Sequence, residues 1–587
     1  LIILIEALFF NGGCVKVSDY IAAFLHVQGI NYIFEVVGGM TTHLLDSIYR
    51  QGKIRIVSTH HEQAAAFAVD GLSRMTGLPG VAMATSGPGA TNLLTGIGSC
   101  YFDSSPAIFI TGQVNRSEQK GALPIRQLGF QETDIVAMAS PITKASWRVQ
   151  SADEIPILME KAFALAVSGR PGPVLIDIPM DVQRSDIQAK SPSRLSVSEF
   201  QPVSSQEIEK LLLDLQKAQR PLILAGGGIR SAQSGDLFRS LVERLKIPVV
   251  HSLMGVDALP FHSPFRIGMI GTYGNRWANL AVGRSDFILV LGSRLDIRQT
   301  GSDTKAFKGS RSIYHVDCEM GEINNRVTGC YPIQAHLRAF LAEADRIGME
   351  WRFPDRSDWL KEIEKGKHAW PDTAELPGVP GINPNELMHQ LGTASSHASA
   401  YAVDVGQHQM WAAQSLELSP DQRFLTSGGM GAMGFALPAA IGAAQACPDQ
   451  PVVMIAGDGG FQLNIQELQT VVRNRLPVKM VVINNQCHGM VRQFQQSYFN
   501  ERYQSTFWGY SAPDFAQIAT AYGIPAHSID AASDIKQGLE WLWRNPTAPS
   551  LLQVMIDTYT NVYPKIAFGR PMTEMEPFAK PVDMEGT

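Results

Sequence analysis

Short apolar runs alternate with helix-length amphipathic stretches from about Val15 onward, the rhythm of buried parallel strands with covering helices between them. In a first block the runs at 54–59, 81–85, 107–111 and 174–178 predict strands, and 62–75 carries a helical pattern. The polar, Ser- and Pro-bearing stretch 191–205 reads as a linker. A second block predicts strands at 221–225, 248–252, 286–291 and 312–317, and ends near Met349. The proline- and glycine-rich stretch 371–384 can continue neither a helix nor a central strand and forms a second linker. A third block predicts strands at 400–405, 452–456, 478–483 and 551–556. The fold expected is α/β, with three doubly wound parallel-sheet domains and no short internal repeat.

Composition narrows the partners. The 587 residues are 45% hydrophobic and 18% charged, which suits three or four globular domains and excludes a disordered or collagen-like chain. A formal charge of -6 gives no electrostatic reason for nucleic acid or an acidic membrane surface. The six cysteines form no C-x-x-C pair and no His spacing that would build a zinc site, and a reducing cytoplasm fits. The apolar segment 1–10 lacks a basic flank, is interrupted by Glu6 and is too short to span a bilayer. It reads as an extended or mis-assigned start, or as the remnant of a signal peptide.

The most informative motif is Gly457-Asp458-Gly459-Gly460 after one apolar run, matched by Asn484-Asn485 after the next. The interval leaves room for one helix and a return strand, so both ends meet at the carboxyl edge of adjacent parallel strands. An Asp carboxylate and an Asn amide oxygen there are hard ligands for Mg²⁺ or Ca²⁺, with diphosphate oxygens and water completing the shell. The glycines admit a phosphate close to the backbone.

This pairing resembles the thiamine-diphosphate signature, and from about Val15 to Arg570 the chain is similar to the acetohydroxyacid (acetolactate) synthase large-subunit family. The resemblance implies a pyrimidine-binding domain at 15–190, an FAD-binding domain at 206–349, a thiamine-diphosphate and Mg²⁺ domain at 382–560, and a tail at 561–587 over the active site. Glu62 of His61-Glu62-Gln63 matches the catalytic glutamate, a buried carboxyl that hydrogen-bonds the cofactor's aminopyrimidine ring. Taken alone, an acid at that helix start would be worth only about 0.3–1 kcal/mol as a dipole partner. Gly38, and Pro88 and Asn92 within Ser86-Gly87-Pro88-Gly89-Ala90-Thr91-Asn92, match cofactor contacts. Phe130-Gln131 matches the substrate side.

In the third block, Val405, Gly406, Gln407 and His408 match the loop that cradles the diphosphate. Gly431 and Met433 match the loop whose Met wedges the cofactor into its bent form. Gly459 and Gly460, with Gly489, Met490 and Val491, complete the implied cofactor contacts, and Asp458, Asn485 and Cys487 the implied metal ligands. For FAD the implied contacts are Arg170, Gly226-Gly227-Gly228, Ser252-Leu253-Met254, Gly268-Met269, Gly292, Arg294, Asp296, Arg298 and Asp317. Arg298 also matches the arginine that grips the acceptor's carboxylate, so the implied catalytic set is Glu62, Gln131, Arg298 and Met433.

Departures from the family pattern cluster on the acceptor side. Val36-Val37 stand where Tyr-Pro is usual, Asn115 where Pro is, Met180 where Lys is, Ile270 where His is and Phe494 where Trp is, and the loop after Val114 is longer. The expected activity is decarboxylation of pyruvate and transfer of the hydroxyethyl unit to a second 2-ketoacid, giving 2-acetolactate on the route to branched-chain amino acids. A different keto acceptor such as a keto-sugar, a pyruvate oxidase, and a catalytically inactive cofactor-binding protein are the alternatives. The resemblance further implies a homodimer or homotetramer, leaves a regulatory small subunit open, and implies no nucleic-acid or membrane partner.

Overall fold

The computed structural model describes residues 14–195, 200–349 and 351–582. The apolar segment 1–10, the middle of the first linker and the last residues of the tail lie outside the described residues. Three six-stranded parallel sheets carry the architecture. The first is built from β1 (Tyr32–Val36), β2 (Arg55–Ser58), β3 (Gly80–Ala84), β4 (Ala107–Gln113), β5 (Ala145–Arg148) and β6 (Pro173–Pro179). The second comprises β7 (Pro221–Ala225), β8 (Val249–His251), β9 (Arg266–Met269), β10 (Phe287–Leu291), β11 (Ser312–Asp317) and β12 (Tyr331–Gln334). The third comprises β13 (Ala400–Val403), β14 (Arg423–Leu425), β15 (Val452–Gly457), β16 (Val478–Asn484), β17 (Ala526–Ile529) and β18 (Ser550–Met555).

Strand order divides the sheets into two kinds. The first runs β2-β1-β3-β4-β6-β5 and the third runs β14-β13-β15-β16-β18-β17, the same permutation. The second runs β9-β8-β7-β10-β11-β12, the order of dinucleotide-binding sheets. Central strands such as β3, β4, β7, β10 and β16 are buried along their whole length. Covered on both faces, they read as continuous Val, Ile, Leu and Ala runs without alternation.

The chain separates into two compact units. One holds the first sheet together with Ser427–Val452 and Asn464–Val478; the other holds the second and third sheets. In the first unit the helix Glu62–Thr76 lies against the helix Ala436–Ala446, and small residues on both allow the close approach. In the second unit the tail is tied to the central sheet: Ile566, Met572 and Met575 share a core with Trp277 and Leu295. Lys565 pairs with Glu576 at 2.9 Å, both buried.

Candidate functional site

In each sheet some of the predicted site residues stand at the carboxyl ends of the two neighbouring strands where the strand order reverses, which is where open α/β sheets leave a crevice. In the first unit these strands are β1 and β3. Gly38 after β1 lies so close to Thr85 after β3 that a side chain at 38 would overlap it. Pro88 opens the helix Pro88–Asn92 beyond β3. Glu62 is the first residue of its helix, whose start is capped by His61 Nδ1 accepting from Gln63 N at 3.0 Å. The Glu62 side chain is buried, and its Oε2 accepts from Asn92 Nδ2 at 2.9 Å. Oε1 faces Gly89, where a Cβ would stand 3.2 Å away. Gln131 approaches the same loop with positive φ, 3.0 Å from the place of a Gly87 Cβ.

Met433 belongs to this unit too. Gly431 and Gly434 on either side of it both have positive φ, which only glycine adopts freely. Asn464 Nδ2 donates to Gly434 O at 2.8 Å and to Gln63 Oε1 at 3.3 Å, so one amide joins the Met433 loop to the helix turn that carries Glu62.

In the second unit the corresponding crevice lies between β13 and β15. Asp404 follows β13 directly, with Val405 N donating to its Oδ1 at 2.9 Å, and Gly460 passes so near that oxygen that no side chain would fit. Gly406 caps the helix Gln407–Ser415. Gln407 Oε1 accepts from Asn485 Nδ2 at 3.3 Å, and Gly489 lies inside van der Waals reach of both. The His408 ring is buried between Gly406 and Gly457, burial holds its pKa down at about 3, and its Nε2 has no partner.

Asp458, at the start of the helix Asp458–Leu463, is buried, and burial pushes its pKa up to about 6. Its Oδ1 accepts from Gly459 N at 2.9 Å, while Oδ2 is buried without a partner. The backbone of Gln486 and Cys487 approaches the same carboxylate. The Asn-Asn turn is therefore brought to Asp458 as the spacing requires. An orphaned carboxylate oxygen beside an Asn amide suits a hard cation. The Cys487 thiol does not: burial pushes its pKa up to about 11, and it donates to Thr558 O. Among the described residues no three His, Cys, Asp or Glu side chains converge as a metal cage. Met490 packs on the third-sheet core, and Val491 is exposed.

The central sheet reverses between β7 and β10. Gly226 and Gly228 press against Gly292, and Gly227 faces Met254 of the turn Leu253–Gly255 that follows Ser252. Arg294 pairs with Asp296 at 3.5 Å, and Asp296 caps the helix Ile297–Thr300 by accepting from Arg298 N. The ion pair that an Arg-x-Asp-x-Arg element would make on any surface is thus present. Arg298 itself is exposed, with no ion pair among the described residues. Asp317 ends β11 and accepts from Glu319 N. Gly268 is set against Asn275, whereas the Met269 side chain is buried in the third-sheet core. Arg170 lies in the other unit, where its Nε donates to Ser104 Oγ at 2.7 Å.

Three residues that shape these crevices are absent from the sequence reading. Asp404 could have been noted as the first acid after an apolar run. Asn464 and Arg492 carry no such signal, because their value lies in contacts distant along the chain. Arg492 is fully buried and donates to Asn561 Oδ1 at 2.6 Å and to Thr560 O at 3.0 Å, anchoring the start of the tail.

Comparison with known proteins follows the same three-part division. The description "Thiamine pyrophosphate enzyme, N-terminal TPP binding domain" matches residues 15–138. The central domain of the same enzymes matches 208–344, and their C-terminal TPP binding domain matches 404–554. The acetolactate synthase isozyme 2 large subunit of Escherichia coli is 38% identical over 558 residues, covering 95% of this chain and 98% of its own. The acetolactate synthase large subunit of Lactococcus lactis is 36% identical, covering 95% of each. The probable acetolactate synthase large subunit of Methanocaldococcus jannaschii is 36% identical, covering 92% of each.

Proposed function

This chain belongs to the acetolactate synthase large-subunit family of thiamine pyrophosphate enzymes, and on that premise we propose how its own residues carry the reaction. The chain is a thiamine-diphosphate-dependent carboligase that decarboxylates pyruvate and joins the remaining two-carbon unit to a second 2-ketoacid, giving 2-acetolactate. The observation that carries the site assignment is Glu62: a buried carboxyl at a strand-order reversal, with Oε2 tied to Asn92 and Oε1 left to exchange a proton with a ring nitrogen. Thiamine diphosphate, when bound, supplies the carbon nucleophile and the electron sink for decarboxylation.

Everything else is the protein's part. Met433, presented between two left-handed glycines, wedges the cofactor. Gly38, Pro88 and Asn92 line its pyrimidine side. Val405, Gly406, Gln407 and His408, with Gly459, Gly460, Gly489, Met490 and Val491, cradle the diphosphate. Neutral His408 can donate or accept there without repelling an Mg²⁺ ion. Asp458 and Asn485 would hold Mg²⁺ through oxygen, and Cys487 would serve through its backbone carbonyl rather than its side chain, because a protonated thiol is no ligand for a hard cation. Few protein ligands are needed, since Mg²⁺ keeps waters and phosphate oxygens. Gln131 faces the acceptor, and Arg298, exposed and without an ion pair among the described residues, takes its carboxylate in a two-pronged grip.

FAD in the central domain is supported by the dinucleotide-type strand order and by three glycines at its reversal. Its role there is structural. The domains proposed are 15–190, 206–349 and 382–560 with the tail 561–587, assembled as a homodimer or homotetramer that completes sites between chains. A cytoplasmic location agrees with six cysteines that form no C-x-x-C pair, and among the described residues no helix is long and apolar enough to cross a membrane.

The test is anaerobic incubation of the purified protein with pyruvate, thiamine diphosphate, Mg²⁺ and FAD, with the carbon product identified and the flavin spectrum followed. The expected result is 2-acetolactate with the flavin still oxidised. Acetate with flavin bleaching would make the protein an oxidase, and product formed only after another keto compound is added would change the acceptor.

A further inference from the structure

Outside the groups already assigned, the first unit contains a buried charged chain that runs from the helix of Glu62 to the loop of Met433. Arg74, on the last turn of the helix Glu62–Thr76, meets Asp70 at 2.6 Å and Asp103 at 3.1 Å. Asp103, the last residue of the helix Leu94–Asp103, has a buried side chain. Its two oxygens each accept one backbone N–H of the loop: Gly428 N on Oδ2 at 3.0 Å and Gly429 N on Oδ1 at 2.7 Å. Ser99, one turn earlier, bonds Ser427 Oγ at 3.2 Å, and Ser427 Oγ in turn accepts from Ala432 N at 3.2 Å. Beyond Met433, Phe435 lies under the Arg74 guanidinium at 5.6 Å and edge-on to Phe67.

The loop is thus fixed on both sides of Met433 and by the same arginine. Between the two anchors a Cβ at Gly431 would meet nothing within 4 Å, so no side-chain packing at that position helps to hold the loop. Two consecutive amides on one carboxylate define the direction of a backbone, which a single hydrogen bond does not. Gly429 is also forced into line: a Cβ there would stand 2.7 Å from the Phe102 Cβ and 3.1 Å from Asp103 Oδ1.

We propose that Asp103, oriented by Arg74, is a positioning residue for the reaction: by holding the Gly428 and Gly429 amides it sets the loop that presents Met433 to the cofactor. This rests on the reading of Met433 given above. An Asn at 103 keeps the shape but offers one acceptor to two donors and turns an amide N–H₂ toward one of them, so the loop loses its direction while the helix keeps its packing.

The test is a double-mutant cycle of Asp103→Asn and Met433→Ala, with three readouts. In cofactor-free protein, amide hydrogen exchange in 427–434 is expected to accelerate in Asp103→Asn while exchange in the Glu62–Thr76 helix stays at the parent rate. Thiamine diphosphate affinity, by calorimetry with Mg²⁺, is expected to weaken. The kcat for acetolactate formation is expected to fall about tenfold or more in Asp103→Asn alone and much less when Met433 is already Ala, because both changes remove one interaction. Unchanged exchange in 427–434, or losses in the two single variants that simply multiply, would overturn the proposal. If neither variant nor parent forms acetolactate while exchange and affinity respond as stated, the assigned reaction fails and the positioning role stands. Should Asp103→Asn not fold, Arg74→Lys, which shortens the reach to Asp103, takes its place with the same expected outcomes for exchange in 427–434, cofactor affinity and kcat, the helix Glu62–Thr76 no longer serving as the reference because Arg74 also pairs with Asp70 there.

Discussion

Gly442 runs so close to the carbonyl oxygen of Ala68 that even a methyl group at 442 would lie inside contact distance. The relation is reciprocal, since Gly71 is equally confined by Ala439. The helix bearing Glu62 is therefore seated backbone to backbone on its neighbour. Gly442→Ala is expected to destabilise the protein by about 1–3 kcal/mol, because backbone cannot move aside as a flexible side chain can. Thermal unfolding tests this, with a midpoint lowered by about 2–4 °C per kcal/mol. A midpoint equal to the parent's would mean that the two helices are not held at this spacing.

The second expectation concerns Asp458. Burial places its pKa at about 6, yet the proposed Mg²⁺ role needs the carboxylate. Below that pH the group is protonated and uncharged, so metal-dependent binding of thiamine diphosphate should weaken as pH falls through 6 and be restored above it. Asp458→Ala should lose metal-dependent binding at every pH. Calorimetric titration with and without Mg²⁺ checks both, and unchanged affinity in the variant would remove Asp458 from the cation site.

How much of this was legible in the sequence depended on the physical origin of each feature. The buried strands β3, β4, β7, β10 and β16 were readable because burial on both faces makes an apolar run, and Asp458 and Asn485 because each stands just beyond such a run. β1 was not foreseen, since Glu35 breaks its pattern. The chain buries that carboxyl all the same, with the Ser58 hydroxyl donating to it, and burial pushes its pKa up. β14 and β9 are only three and four residues long, too short for an apolar run to stand out from its surroundings, although β9 is buried along its whole length. The anchoring of Gly428 and Gly429 by Asp103 joins positions more than three hundred residues apart and leaves no local trace.

Phe494 gives the third expectation. It is 39% exposed, in contact with Tyr498 and Phe499, and so is not a core aromatic. A partly exposed ring is available to contribute surface to an acceptor's alkyl group, and one methylene is worth at most about 1–3 kcal/mol. Little preference for 2-ketobutyrate over pyruvate is expected, with Phe494→Trp increasing it. Competition between the two ketoacids measures the ratio of acetohydroxybutyrate to acetolactate. A ratio unmoved by the substitution would direct attention to Val37, Met180 and Ile270.

His389 provides a pH signature away from the reaction. Its ring bridges Asp372 at 3.0 Å and Glu417 at 2.9 Å, and His262 also reaches Glu417. Burial acts to lower its pKa, but the two carboxylates more than offset that and raise it above the ordinary value. A raised folded pKa gives stability that is full below the unfolded value, about 6.5, and is lost as pH rises through the folded one. The thermal midpoint of the parent should fall relative to that of His389→Gln as pH rises above about 6.5 and through the raised folded value. Parallel midpoint curves for the two proteins would show that the bridge does not carry a proton.

The central claim, that Glu62 exchanges the proton that starts the reaction, is tested most directly by comparing Glu62→Gln with the parent for both acetolactate formation and thiamine diphosphate affinity in the presence of Mg²⁺. An amide can still meet Asn92 but cannot give or take the proton. The account predicts that the variant binds the cofactor as the parent does and forms no measurable acetolactate. A rate within about threefold of the parent, about 0.7 kcal/mol in barrier, would contradict it.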